Sequence, residues 1–279
     1  MPEIPFFFPS GQHSLFGVLH QPAAESTRPG FVFCHPFGEE KLWAHRVYVT
    51  FARALAADGH PVLRFDYMGN GDSGGSFSQS SLASAIADVR AATDELRRRT
   101  GPRPVSLLGL RLGATVASVV AEDLTGLDRL ILWAPIVDGA RYMQELLRIN
   151  LTTQLAVYKE VRRDREALVA DMRAGETVNV DGYEMTLPLY EQVSAVKLAA
   201  DAKRCQAPCL VVQIDRQPGR PAAELGQLAS TYSTARVLFA QEEPFWKEIA
   251  RFYDQAPGLF AETRNWLNDP DGSGLAAQS

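Results

Sequence analysis

The strongest constraint on this chain is an alternation of short apolar runs with amphipathic stretches. Gly30–Cys34, Pro61–Phe65, Val105–Leu108, Leu130–Trp133, Cys209–Ile214 and Arg236–Phe239 read as strands. They are too short for core helices and are rich in Val, Ile, Leu and Phe. Between them, Trp43, Val47, Phe51 and Leu55 recur at four-residue spacing, the period of one helix face. Leu82, Ile86, Val89 and Leu96 repeat the pattern over 81–100, and a helix is also expected from Leu112 to about Leu124. Strand and helix in turn predict an α/β domain: a mostly parallel central sheet with helices on both faces.

The pattern stops after Asp138. Residues 139–204 are helical and charged, and Thr177–Met185 could form a small hairpin around Asp181-Gly182. The expected layout is a core of 1–138 and 205–268, a small inserted cap at 139–204, and a flexible Gly/Ser/Asp-rich tail at 269–279. Insertions at the carboxyl end of a parallel sheet commonly shape a binding pocket.

Bulk properties exclude several functions. Net charge is −5, against a nucleic-acid binder, which would carry a basic face. No apolar run is long enough for a membrane span. The first residues lack the order of a signal peptide, so a cytoplasmic location is expected. Cys34, Cys205 and Cys209 make neither a disulfide framework nor a zinc motif, so reduced thiols, no metal and no cofactor are expected.

Gly109-Leu110-Arg111-Leu112-Gly113 lies between a strand and a helix. That is the setting of the G-x-S-x-G nucleophile elbow, where glycines flank a sharp turn. Here the central residue is arginine. A guanidinium has five donors and no basic lone pair, so it cannot replace a base-activated hydroxyl. It can brace a carboxylate or receive an anionic ligand. At a helix N-terminus it requires a nearby anion, and Asp66, Glu39, Glu40, Asp138, Asp215, Glu242 and Glu243 are candidates. His35-Pro36-Phe37-Gly38 follows a strand where such folds supply an oxyanion-hole amide. Pro36 has no N–H, so Phe37 and Leu112 are the expected donors. His35 could also serve only to fix the turn.

The general base is missing. The histidines are 13, 20, 35, 45 and 60, whereas the base belongs after the last strand, near Gln241–Trp246. An acid could persist at Asp215 or Asp138, each just after a strand, though either could be a turn cap.

Other chemistries remain possible. Cys34 beside His35 could form a thiol–imidazole dyad, although adjacent strand residues point to opposite faces. Ser73 is a second candidate nucleophile. Gly69-Asn-Gly71-Asp-Ser-Gly74 matches a dinucleotide fingerprint, which would make the chain an oxidoreductase. However, no helix opens within that motif, and no acidic residue ends a following strand.

His35-Pro-Phe-Gly-Glu-Glu-Lys41, Arg64-Phe-Asp-Tyr-Met-Gly-Asn-Gly-Asp-Ser73 and Gly109-Leu-Arg-Leu-Gly-Ala114 together resemble the α/β-hydrolase superfamily. More narrowly, the chain resembles the second exosortase A system-associated hydrolase family of bacteria. That family also has arginine at the elbow, a Gly-Tyr pair like Gly182-Tyr183 and a segment like Glu243-Pro-Phe-Trp246. The resemblance implies an α/β-hydrolase fold, a cytoplasmic setting and a link to exopolysaccharide or surface-protein export. Glu243, Phe245 and Trp246 are then expected at the pocket rim.

The expectation is therefore a degenerate, non-standard or inactive hydrolase that binds a small acyl, glycosyl or anionic ligand, or a partner protein. The alternatives are an esterase or acyl-transfer hydrolase with relocated residues, and the nucleotide-binding oxidoreductase.

Overall fold

A computed structural model describes residues 2–247 and 252–269. The chain opens with a hairpin that the reading above did not anticipate: β1 (Glu3–Ser10) and β2 (His13–His20). A two-residue turn joins them, with Gly11 at φ 55°, a conformation glycine adopts without a Cβ penalty. The signal was present as alternation: Phe8, Leu15 and Leu19 are buried while Phe7 faces outward.

The parallel core follows as β3 (Gly30–Cys34), α1 (Glu39–Ala57), β4 (Val62–Phe65), α2 (Leu82–Thr100), β5 (Val105–Leu110), α3 (Leu112–Ala121) and β6 (Leu127–Trp133). Next come α4 (Gly139–Tyr158), α5 (Arg165–Arg173), the hairpin β7 (Val178–Val180) and β8 (Tyr183–Met185), and α6 (Leu187–Ser194). The core resumes with β9 (Cys209–Asp215), α7 (Ala223–Ser230), β10 (Ala235–Gln241) and α8 (Pro257–Asn268). Sheet order is β1-β2-β4-β3-β5-β6-β9-β10. β2 pairs antiparallel with both β1 and β4, and the remaining pairs are parallel. The small hairpin around Asp181-Gly182 forms as expected.

Several boundaries differ from the sequence reading; β6, for instance, begins at Leu127 rather than Leu130, and β5 runs on to Leu110. α1 begins at Glu39, ahead of Trp43, the first residue of its expected apolar face, which puts Glu39 and Glu40 in its first turn, where the helix dipole favours carboxylates. α3 ends at Ala121 rather than near Leu124. Burial of alternate strand residues divides the core. Cys34, Leu63, Leu107 and Leu132 face α2, α3 and α7, while Phe33, Leu108, Ile131 and Trp133 face α1 and α8. A third cluster, including Met143, Leu147, Met172, Met185 and Val193, lies within 139–204 and reaches Leu112 and Ile136 beside the sheet. Apart from Asp269, the tail expected at 269–279 falls outside the described residues.

Candidate active site

The turn from β5 to α3 has the geometry of an elbow. Arg111 sits at φ 54°, ψ −122°, a conformation costly for any residue with a Cβ. Its backbone is held from both sides: Arg111 N–H donates to Trp133 C=O at 3.0 Å, and Ala114 N–H donates to Arg111 C=O at 3.1 Å. The flanking glycines are sterically required. A Cβ on Gly113 would lie 2.1 Å from the Cys34 carbonyl oxygen, and one on Gly109 would lie 2.4 Å from Ala114 N. The residue at the tip is therefore presented above the sheet as a nucleophile would be.

The guanidinium is engaged. Arg111 Nε donates to Glu40 Oε1 at 2.9 Å, and the Tyr142 hydroxyl donates to Glu40 Oε2 at 3.0 Å. Glu145 Oε2 lies 3.9 Å from an Arg111 terminal nitrogen. The Tyr142 and Trp246 rings lie 5.4 and 5.6 Å from the guanidinium carbon, within cation–π range. Burial pushes the Glu40 carboxyl above its ordinary value, against the pull of Arg111 and Tyr142. Burial also opposes the Arg111 charge, but Glu40, Tyr142 and Glu145 outweigh it and the guanidinium is held more firmly protonated. Glu40 gains from the α1 N-terminus what Arg111 loses at the start of α3.

Arg111, Tyr142, Glu145 and Trp246 line two cavities. The larger, about 820 Å³, also presents Glu39, Trp43, Thr152, Thr153, Asp181 and Lys247. The smaller, about 190 Å³, presents Asp138, Arg141, Gln213 and Glu224. On the other side of the elbow, an apolar pocket of about 50 Å³ is walled by His35, Phe37 and Leu112 with Phe77, Val116 and Leu189.

The expected site residues divide among these features. Asp138 caps α4 by accepting from Arg141 N–H at 3.0 Å. It also pairs with Lys197 at 2.7 Å, and those two contacts hold its carboxyl below the usual range. Asp215 is exposed at the end of β9 and accepts from Gln217 N–H at 2.9 Å. Neither forms an ion pair with Arg111; of the carboxylates considered beforehand, Glu40 does. Trp246 lines both cavities, but Phe245 does not stand at the rim. It is 1% exposed and packs in the core beside α8, because its ring turns inward while Trp246 turns to the elbow. Glu243 is half-buried, and its carbonyl accepts from Phe245 N–H.

Three alternative chemistries lose their geometry. Cys34 is wholly buried, which pushes its thiol up to about 12, so it is no thiolate nucleophile beside His35. His35 is buried too, held between Pro36 C=O and Tyr67 N–H, with its imidazole pushed down to about 3 chiefly by burial. The Ser73 hydroxyl is spent on the turn, donating to Asp66 C=O and accepting from Phe16 N–H at 2.8 Å. The glycine-rich loop folds around Asp66: a Cβ on Gly71 would lie 2.0 Å from Asp66 Oδ2, and α2 begins only at Leu82. A pyrophosphate at a helix N-terminus therefore has no counterpart at this motif.

Tyr142 and Glu145 were not expected at the elbow. They are three residues apart, so helical periodicity puts them on one face of α4. Nothing local shows that this face lies above residue 111.

Comparisons with known proteins agree with this architecture. The family model for serine aminopeptidase, S33 (Hydrolase_4), matches residues 25–214. Lysophosphatidylserine lipase ABHD12 of Danio rerio is 30% identical over 123 residues, 43% of this chain and 31% of that protein. The chain thus spans about a third of the length of the curated relatives it matches. Est1E from Butyrivibrio proteoclasticus, solved with ferulic acid, superposes with a TM-score of 0.68 at 15% identity, covering 95% of this chain and 98% of that one. Mouse α/β-hydrolase domain-containing protein 10 gives 0.62 at 15% identity, covering 96% and 100%.

Proposed function

The chain belongs to the serine aminopeptidase S33 hydrolase family, and from that premise we propose that it is a member without triad catalysis that binds a glycosyl ligand above the elbow. One observation carries the reading: the nucleophile position holds a guanidinium already hydrogen-bonded to Glu40, itself capped by Tyr142. The elbow therefore retains its shape and has lost its reactive atom. No histidine follows residue 60, so no imidazole is supplied after β10, where such a base belongs.

Cavity chemistry selects among ligand classes. Glu39, Glu40, Glu145 and Asp181 outnumber Arg111 and Lys247 in the larger cavity, which disfavours an anion. Trp43, partly exposed and stacked on one side by Phe252, offers a ring face, while the carboxylates and Thr152 and Thr153 offer acceptors for hydroxyl groups. A neutral sugar satisfies both. The resemblance to the exosortase-associated hydrolases supports an exopolysaccharide setting for such a ligand.

Two measurements test this. A fluorophosphonate probe leaves the protein unlabelled; clear labelling at a single residue overturns the loss of catalysis. Saturation-transfer NMR with neutral oligosaccharides gives signals that weaken in Trp43→Ala. Equal signals in both proteins, or none in either, reject the ligand class.

A further inference from the structure

We propose that a second crevice, between α1 and strands β2 and β4, binds a small ligand with a carboxylate head and an apolar body, the head being received by Arg64. The crevice measures about 280 Å³. Phe16, Val18 and Phe33 give it apolar walls, and Arg64, Lys41 and His45 reach it from β4 and α1.

Arg64 is the reason to expect a ligand. Its Nε donates to His20 Nε2 at 2.9 Å, and among the described residues no carboxylate pairs with its guanidinium. Burial, with the Arg64 charge beside it, pushes the His20 imidazole down to about 4, so Arg64's partner is neutral at pH 7. Arg64 is partly buried, and Glu3 and Asp66 act on its charge through space without pairing with it, so an anion in contact with the guanidinium is still favoured. The terminal nitrogens of Arg64 are not among the sealed, unsatisfied polar atoms, and the residue lines the crevice, so a ligand entering it meets them.

The neighbouring charges define the head group. Lys41 is committed to Asp66 at 2.6 Å, and Asp66 also accepts from Asp72 N–H at 3.2 Å. Asp72 stands at the rim. With Asp66 and Asp72 at the crevice and Glu3 acting on Arg64 from β1, a monoanion is accommodated more readily than a dianion. A planar carboxylate also matches the guanidinium fork with two parallel hydrogen bonds. His45 is the natural reporter. Burial lowers its pKa first, then Arg64, Lys41 and Arg46 lower it further, while Asp66 raises it. His35, buried on the same side, stays neutral. An anion against Arg64 offsets those positive charges and moves His45 upward.

The experiment follows the His45 ring by NMR while sodium benzoate replaces sodium chloride at constant ionic strength, with His45→Gln identifying the resonance. Saturable shifts at millimolar benzoate and a rise in the His45 pKa are expected, with at least tenfold weaker binding in Arg64→Gln. Benzamide, isosteric and uncharged, leaves the ring unmoved. The proposal is overturned by non-saturable shifts, by equal binding to Arg64→Gln, or by an equal response to benzamide. Phosphate binding as well as benzoate overturns the carboxylate assignment. Wild-type protein alone supplies the benzoate, benzamide and phosphate comparisons, so the proposal stays testable if Arg64→Gln does not fold.

Discussion

Arg111 and Glu40 meet at 2.9 Å across 71 residues of chain, one at the tip of an elbow and the other in the first turn of α1. The contact joins a strained backbone position to a helix terminus that favours negative charge, and Tyr142 closes it from α4. The pair is largely shielded from water, with side-chain exposures of 18% and 17%. In the proposed function, it occupies the place where a hydrolase in this fold keeps its reactive oxygen.

Arg111→Ser is expected to fold and to show no esterase turnover, because no imidazole is positioned to withdraw the new proton. It leaves Glu40 buried without its cation, a change that costs about 3–5 kcal/mol. Urea unfolding measures the loss, and p-nitrophenyl acetate assays measure turnover. The double variant Arg111→Ser with Glu40→Gln should recover much of the stability. Rapid ester hydrolysis by Arg111→Ser would reveal an unrecognised base.

Gly113→Ala places a methyl group 2.1 Å from the Cys34 carbonyl oxygen, and neither backbone can yield without moving β3 or α3. A loss of about 3 kcal/mol or more follows. Gly182→Ala in the β7–β8 hairpin meets no atom within 4 Å, although its φ of 89° still adds strain. Thermal melts should rank Gly113→Ala well below Gly182→Ala, and the opposite order would contradict the elbow packing.

Acid should destabilise the fold through its buried imidazoles. His20 is pushed down to about 4 and His35 to about 3, both chiefly by burial. Below pH 6.5 the unfolded chain binds protons at these positions that the native state refuses. Stability is therefore full above that pH and falls as pH drops from 6.5 toward 4. His20→Gln should flatten this slope by up to about 3 kcal/mol over the window, given 1.36 kcal/mol per unit. Chemical denaturation at pH 7, 5.5 and 4.5 reads it out, and an unchanged slope in the variant would assign the acid sensitivity elsewhere.

Native protein should react with none of its thiols. Cys34, Cys205 and Cys209 are all buried, and burial raises each thiol above its ordinary value. Ellman's reagent is expected to titrate them only after denaturation. Fast reaction of Cys34 in the folded state would reopen a thiol mechanism.

Periodicity carried much of the fold. The strands from Gly30 to Phe239 lie where their apolar runs predict, because a strand buried on both faces writes that fact into consecutive residues. The N-terminal hairpin was also written, as alternation in 3–20, but its polar half and the prolines at 5 and 9 obscured it. At the elbow, Gly109 and Gly113 were legible because a tight turn selects residues by local sterics.

The sequence by itself determined the identity of the residue at the elbow, the glycines that bend the chain there and the lack of a downstream imidazole. Only the tertiary structure decided that Glu40 neutralises Arg111, that Tyr142 and Glu145 complete the brace, that Phe245 turns inward, and that Arg64 opens into a crevice beside a neutral histidine. The physical reason is range. Turn chemistry and periodicity depend on residues a few positions apart, whereas Glu40, Arg111 and Tyr142 meet across separations of 71 and 102 residues. Strand order and the seating of α4 over the sheet set those encounters, and no local pattern records them.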